Sequence, residues 1–317
     1  MSDLPGTPIA NTAQAEAWNG YDGIHWATHQ ERWDAVNDGF NEPLLTAAAI
    51  GPGDRVLDIG CGAGRTTRLA ARRAAGGGAC ADGGAEGLDL SAPLLARARA
   101  SALAEGVGNA VFTQGDAQVH PFAPGTFTHV LSRYGVMFFE DPPAAFAHLA
   151  GALRPGGRLA FVAPAEAGAN EWMRAFRALD GILPVGGFPA PGSPGMFSLA
   201  DPARTGDLLR TAGFTAVASV RTEAYGVWGA GAEDAAGFLL GTGPGRHLLD
   251  QVGPGARAEA HRVLAAHLRP FERDGAVRLR ATAWLVTAER SRTACVCIGC
   301  RERGRCREAR GKGDAGW

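Results

Sequence analysis

The residues best placed to do chemistry stand in one short run, Val56-Leu-Asp-Ile-Gly-Cys-Gly-Ala-Gly64, between an apolar strand pattern and a helical one. Glycines there let the backbone turn sharply and approach a ligand seated over a helix N-terminus. Two features narrow that ligand. The dinucleotide fingerprint Gly-x-Gly-x-x-Gly asks for glycine where Arg65 stands, the third glycine here being Gly64. Asp58, just before the first glycine, would repel a pyrophosphate but suits a ligand carrying ammonium and sulfonium charge. Unit charges a few ångströms apart interact by roughly 4 kcal/mol at an effective dielectric of 20, enough to separate the two ligand classes.

Two further carboxylates follow at strand ends. Asp89 closes the next strand pattern, before Leu90-Ser91, where an acidic residue can accept both hydroxyl hydrogens of a ribose. Gln114-Gly-Asp116-Ala117 follows the third, where Asp116 can accept from an adenine amino group and Ala117 offers a backbone donor. Each aspartate taken singly also reads as a solvated loop residue. Three at the ends of successive strands, the first with a glycine loop, form a set that fits S-adenosylmethionine and not a nicotinamide dinucleotide.

The elements that must position these residues alternate along the chain. Strand patterns at 55–59, 87–90, 110–114, 128–132 and 158–163 are separated by helical or turn-rich stretches, the mark of a parallel sheet covered on both faces. The aromatic segment 11–50, with Trp18, Tyr21, His25, Trp26, His29 and Trp33, reads as short helices. From 165 to 202 glycine and proline become frequent, giving a helix at 171–179 and an irregular cap. Segment 199–212 is helical, 214–223 and 277–288 are strand-like, and helices lie between them. These patterns divide the chain into an N-terminal helical lid (1–50), a cofactor-binding core (51–165), cap helices with the last sheet strands (166–290) and a tail (291–317).

The glycine loop, the acidic end of the second strand, Gly115-Asp116-Ala117 and Leu153-Arg-Pro-Gly-Gly-Arg-Leu159 resemble the class I S-adenosylmethionine-dependent methyltransferases. The likeness is to the ubiquinone/menaquinone-biosynthesis enzymes and to actinobacterial small-molecule methyltransferases, over roughly 11–290. It implies a Rossmann-like, seven-stranded, mostly parallel α/β sheet with a reversed last strand at 277–288, a helical N-terminal lid and a cap insertion. The implied cofactor contacts run from Asp58, Gly60, Cys61, Gly62 and Gly64 through Asp89 and Leu90 to Asp116 and Ala117. Ser132 and Arg133 complete that pocket. The chain departs from the family at 76–87, glycine- and alanine-rich where a β-branched second strand is usual, so that strand is expected to be short or loosely packed. Pro164 stands where relatives often carry a tryptophan.

On the acceptor side, Tyr21 and His25 lie one helical turn apart and are the candidate catalytic pair, one binding the acceptor and the other acting as base. A helix packed on the core with His25 capping a carbonyl is the competing reading. Tyr134, Met137, Phe138 and Trp172 are candidate walls of an acceptor pocket, against a simple core-packing role. An aromatic entrance with few fixed charges suits a flat, neutral phenol, indole or quinone. A formal net charge of -1 announces no basic face for nucleic acid. No signal peptide or bilayer-length apolar run is evident, so a cytoplasmic enzyme without membrane attachment is expected. No metal site is expected: Cys295, Cys297, Cys300 and Cys306 lack paired C-x-x-C spacing and lie in an Arg- and Gly-rich stretch that reads as disordered. Two other functions fit less well: a cofactor-binding module without catalysis, and a nicotinamide oxidoreductase, which Arg65 and Asp58 disfavour.

Overall fold

The computed structural model describes residues 8–76, 83–186 and 195–292. The tail expectations, including those on its cysteines, lie outside these residues. The chain opens with four short helices, α1 (Thr12–Asn19), α2 (Tyr21–Thr28), α3 (Gln30–Asn37) and α4 (Asn41–Ala48). Strands and helices then alternate through β1 (Arg55–Ile59), α5 (Arg65–Ala74), β2 (Gly84–Asp89), α6 (Ala92–Ala104), β3 (Ala110–Gln114), β4 (Phe127–Arg133), α7 (Pro142–Ala152) and β5 (Leu153–Pro164). The second half carries α8 (Glu171–Arg177), α9 (Pro202–Thr211), β6 (Phe214–Gly229), α10 (Ala232–Gly241), α11 (Gly243–Leu249), α12 (Pro254–Leu268), β7 (Glu272–Arg273) and β8 (Ala276–Arg290).

The sheet runs β3-β2-β1-β4-β5-β8-β6, parallel from β3 to β5, with β8 antiparallel to both β5 and β6. The implied reversed strand is therefore β8. The implied seven strands are the path itself; a two-residue β7 pairs with β8 and makes eight. β4 is buried over nearly its whole length, as a central parallel strand with helices on both faces must be. Connections leave β1 and β4 in opposite directions, so a crevice opens between their carboxyl ends, the usual ligand position in such sheets.

Strand β2 corrects one expectation. It is six residues long and pairs along both edges, with β1 and β3. Its glycines do not loosen it: a Cβ on Gly87 would lie 2.8–2.9 Å from Cys61 Sγ, Phe112 and Thr67. Glycine there lets the loop and α5 pack directly on the strand.

Three large apolar clusters, and a small one around Leu95 and Phe112, hold the described residues together. One side of the sheet buries Phe146, Leu149 and Phe161 under α7; the other buries Phe40, Leu44 and Leu45 under α4. The third joins Trp33 and Val36 of α3 to Phe176, Trp228, Phe238 and Leu264. The N-terminal helices thus share a core with the cap helices, and together they roof the crevice. Each fully buried leucine or phenylalanine contributes roughly 1.5–3 kcal/mol, so this shared core holds the roof in place.

Candidate functional site

The glycine loop is set by local backbone demands. Gly60, Gly62 and Gly64 have φ values of 63°, 55° and 76°, a region that costs other residues energy. Gly60 and Cys61 donate their N–H groups to Leu88 O at 2.8 and 3.2 Å, tying the loop to β2. Arg68, buried on α5, donates to Ala63 O at 2.7 Å and is paired with Glu105 at 3.0 Å. Around Gly62 an added Cβ would meet nothing within 4 Å, so this part of the loop faces open space. Gly64 is not in the cavity wall; it starts α5 close against Phe112 and Ala98.

The three aspartates have three different roles. Asp58 is fully buried behind the loop and does not line the cavity, which corrects the expectation of direct contact with a cationic ligand. Its Oδ2 accepts both the Thr66 and Thr67 hydroxyls at 2.6 Å, while Oδ1 has no protein partner. Burial, partly offset by those hydroxyls, pushes its pKa up to about 6. A cation in front of the loop would stabilise the ionised form by its field.

Asp89 stands in the wall, half-buried, with Oδ2 accepting Gly62 N–H and Oδ1 accepting Ser91 N–H, both at 2.8 Å. Each oxygen keeps a lone pair for a ligand hydroxyl. Burial raises its pKa as well. Asp116 also stands in the wall, but Oδ2 is taken up by Ala10 N–H at 2.9 Å and Asn11 N–H at 2.8 Å, and Oδ1 accepts Gln118 N–H at 3.0 Å. Its first task is to pin the start of the N-terminal helices, a role sequence reading missed.

The end of β4 completes the floor. Ser132 is buried behind it, donating to Ile59 O at 2.8 Å and accepting from Gly135 and Val136 N–H at 3.1 and 3.2 Å. It joins the ends of β1 and β4 without reaching the cavity. Arg133 does line the cavity and donates to Asn41 Oδ1 at 2.6 Å. Tyr134 follows with φ 62°, a left-handed conformation costing of order 1 kcal/mol or more for an aromatic residue. Burial moves its phenol pKa upward, away from service as a base.

A single cavity of about 1170 Å³ runs from the loop to the cap. Gly60, Cys61, Gly62, Leu90 and Ala117 line its floor, and Tyr134, Met137, Phe138 and Trp172 lie in its wall. The candidate catalytic pair stays together, its rings stacked with centroids 5.6 Å apart, but the two residues meet different surroundings. Tyr21 reaches the rim, 39% exposed, where its hydroxyl donates to Gly241 O at 2.8 Å and Arg246 lies over its ring at 3.8 Å. His25 does not line the cavity: it is buried against Phe238 and His29, and burial pushes its pKa down to about 4. Spacing placed both on one helix face, but that face meets α10. Asn170, two residues before Trp172, is spent on structure: Nδ2 donates to Glu166 O at 3.1 Å and Oδ1 accepts Thr282 N–H at 2.9 Å.

Sequence reading overlooked the rest of the wall, above all Trp228 and Phe197. One signal was available, the tryptophans: five of the chain's seven, Trp18, Trp26, Trp33, Trp172 and Trp228, line this one cavity. No group of three or more metal-ligating side chains occurs among the described residues. Among them, no helix is long and apolar enough to cross a membrane.

Known proteins match this arrangement. The methyltransferase domain family is matched over residues 56–157. Nocamycin O-methyltransferase of Saccharothrix syringae is 30% identical over 200 residues, covering 58% of this chain and 69% of that protein. Aklanonic acid methyltransferase DauC of Streptomyces sp. (strain C5) is 35% identical over 112 residues, covering 35% of this chain and 49% of that protein. Other curated relatives are likewise matched over about half of their own length. Among solved structures, the YcgJ protein of Bacillus subtilis superposes with a TM-score of 0.51 at 20% identity, covering 79% of this chain and 97% of that one.

Proposed function

The chain belongs to the S-adenosylmethionine-dependent methyltransferases, and on that premise we propose that it methylates a small aromatic or heteroaromatic acceptor of phenol, indole or quinone type. The observation that carries the acceptor class is the joint cavity. At about 1170 Å³ it exceeds the roughly 300–1,000 Å³ of a site for one drug-sized ligand, and its far end is walled by tryptophan rings. The names of the nocamycin and aklanonic acid enzymes support a small-molecule acceptor.

The residues present fit the cofactor. Gly62 leaves its ligand side open, Asp58 holds an unpartnered carboxylate oxygen behind the loop, and Asp89 presents lone pairs at the wall. In this reading Gly60, Gly62 and the field of Asp58 hold the cationic end. Asp89 holds the ribose, and Leu90 and Ala117 flank the adenine. Bound S-adenosylmethionine would supply an electrophilic methyl group on sulfonium sulfur, which Gly60, Gly62 and Asp89 would hold toward the aromatic end of the cavity. The chain contributes alignment and exclusion of water, and alignment alone is worth roughly 7–11 kcal/mol of barrier. Tyr21 closes the rim, while the aromatic wall orients the acceptor face.

Methyl-labelled S-adenosylmethionine incubated with the protein and a panel of phenols, indoles and quinones tests this. Label is expected in at least one aromatic member. Label passing only to aliphatic or macromolecular acceptors would overturn the acceptor class, and cofactor binding with no transfer to any acceptor would favour a non-catalytic module.

A further inference from the structure

Seven aromatic residues of the cavity wall form one unbroken series. Phe138 touches Trp18 with centroids 5.8 Å apart, Trp18 touches Trp26 at 5.9 Å, and Trp26 lies flat on Trp33 at 3.8 Å and 4°. Trp33 meets Trp228 at 6.1 Å, Trp228 meets Trp172 at 6.0 Å, and Trp172 meets Phe197 at 6.4 Å. All seven line the same cavity.

The two ends of the series belong to different ligands. Trp18 O accepts the Ser91 hydroxyl beside Asp89, and Phe138 O accepts from Asn11, which Asp116 holds. That end therefore borders the cofactor floor. Phe197, Trp172 and Trp228 stand at the other end, on the cap and the end of β6. Their neighbours in the wall, Met173, Pro184, Val185 and Met196, are apolar, and Asn170 has its amide spent on the backbone.

The stacking geometry differs along the series. Trp26 and Trp33 cover each other's faces. Trp172 lies only 17° from the plane of Phe197 and 23° from that of Trp228, with centroids too far apart for direct face-to-face contact. At these separations Trp172 is not in face-to-face contact with either neighbour; Trp228 is the buried member of the three, with Trp172 packed against its core cluster. Trp172 and Phe197 are half-buried, open on the cavity side.

We propose that the acceptor is a fused polycyclic aromatic molecule of three or more rings, bound along Phe197, Trp172 and Trp228. This rests on the methyl-transfer reading and deepens it by naming the acceptor's size and the residues that select it. A single six-membered ring covers one of these side chains, whereas a fused system engages all three at once. Aromatic pairs at such separations attract beyond their area burial, and each added pair strengthens selection for the longer molecule.

The test is calorimetric binding of phenol, 2-naphthol and 1,8-dihydroxyanthraquinone to the full chain, with and without S-adenosylhomocysteine. The three-ring probe is expected to bind at least about tenfold more tightly than phenol. Trp172→Ala and Phe197→Ala should each remove most of that preference, Trp172→Phe should keep it, and S-adenosylhomocysteine affinity should be unchanged in all three. Thermal melting establishes that each variant is folded. Equal affinity for the one-ring and three-ring probes in a protein that binds S-adenosylhomocysteine normally would overturn the proposal alone. So would an unchanged preference in Trp172→Ala. Failure of S-adenosylhomocysteine to bind the wild-type chain would sink the methyl-transfer reading and this one with it.

Discussion

Gly60 and Gly135 meet across the crevice between β1 and β4 so closely that a Cβ on Gly60 would stand 2.7 Å from Gly135 Cα. No side chain fits there, and Gly60 also has φ 63°. Gly60→Ala therefore combines left-handed strain with a backbone collision. It should lower stability by roughly 2–4 kcal/mol and abolish measurable S-adenosylhomocysteine binding. Chemical denaturation and calorimetry would check both; a variant that binds normally would show that the two strand ends can separate freely.

Asp58 should make cofactor binding pH-dependent. Its pKa, about 6 in the folded chain against 3.8 for a free side chain, is raised because burial disfavours the charge. The folded state holds that proton more tightly than the unfolded one. Its contribution to stability is present below pH 3.8 and is lost as pH rises through about 6. A cationic ligand favours the ionised form, so S-adenosylmethionine should bind more tightly as pH rises from 5 to 7, with proton release near pH 6. Calorimetry in buffers of different ionisation enthalpy reads this directly. In Asp58→Asn the proton release should vanish; if it persists, another group carries it.

His25 is expected to affect stability and not the chemical step. Its pKa is lowered to about 4 by burial first, then by the charges of His29 and Arg32. Since the unfolded chain takes up a proton at about 6.5, stability should fall as pH drops from there toward 4, and His25→Phe should flatten that part of the profile. Turnover of His25→Phe at pH 7.5 should stay within about threefold of wild type, well inside the 10²–10⁴-fold typical of a lost general base. A loss of a hundredfold or more with the fold intact would restore His25 as a base.

Asp116 links floor and roof. Removing its carboxylate in Asp116→Ala leaves the N–H groups of Ala10 and Asn11 without their acceptor. The expected loss is about 1–3 kcal/mol in holding that segment, seen as faster proteolysis before α1 and faster S-adenosylhomocysteine dissociation. Unchanged cleavage and dissociation would mean that the segment is held from elsewhere.

The glycine loop was legible because its requirements are local. Gly60, Gly62 and Gly64 follow β1 directly, Asp89 closes β2, and the conformations that make a ligand cradle are set within a few residues. The alternation of apolar strands with helices likewise specifies a parallel sheet, since each such strand must be covered on both faces. What those runs do not encode is which way a residue faces once the layers close. Asp58 and Asp89 both end up beside the loop, yet one lies behind it and the other in the wall, because α5 brings Thr66 and Thr67 over the first.

The aromatic half of the cavity was decided by tertiary structure. Helical spacing put Tyr21 and His25 on one face, but only packing against α10 turned His25 into the core and left Tyr21 at the rim. Trp33 and Trp228 are 195 positions apart in the chain and become neighbours only when β6 pairs with β8 and α3 packs across it. Periodicity states that a side chain belongs to a buried face. What that face meets is decided by distant elements competing to bury their own apolar surface, and here that competition closed an aromatic cavity over the glycine loop.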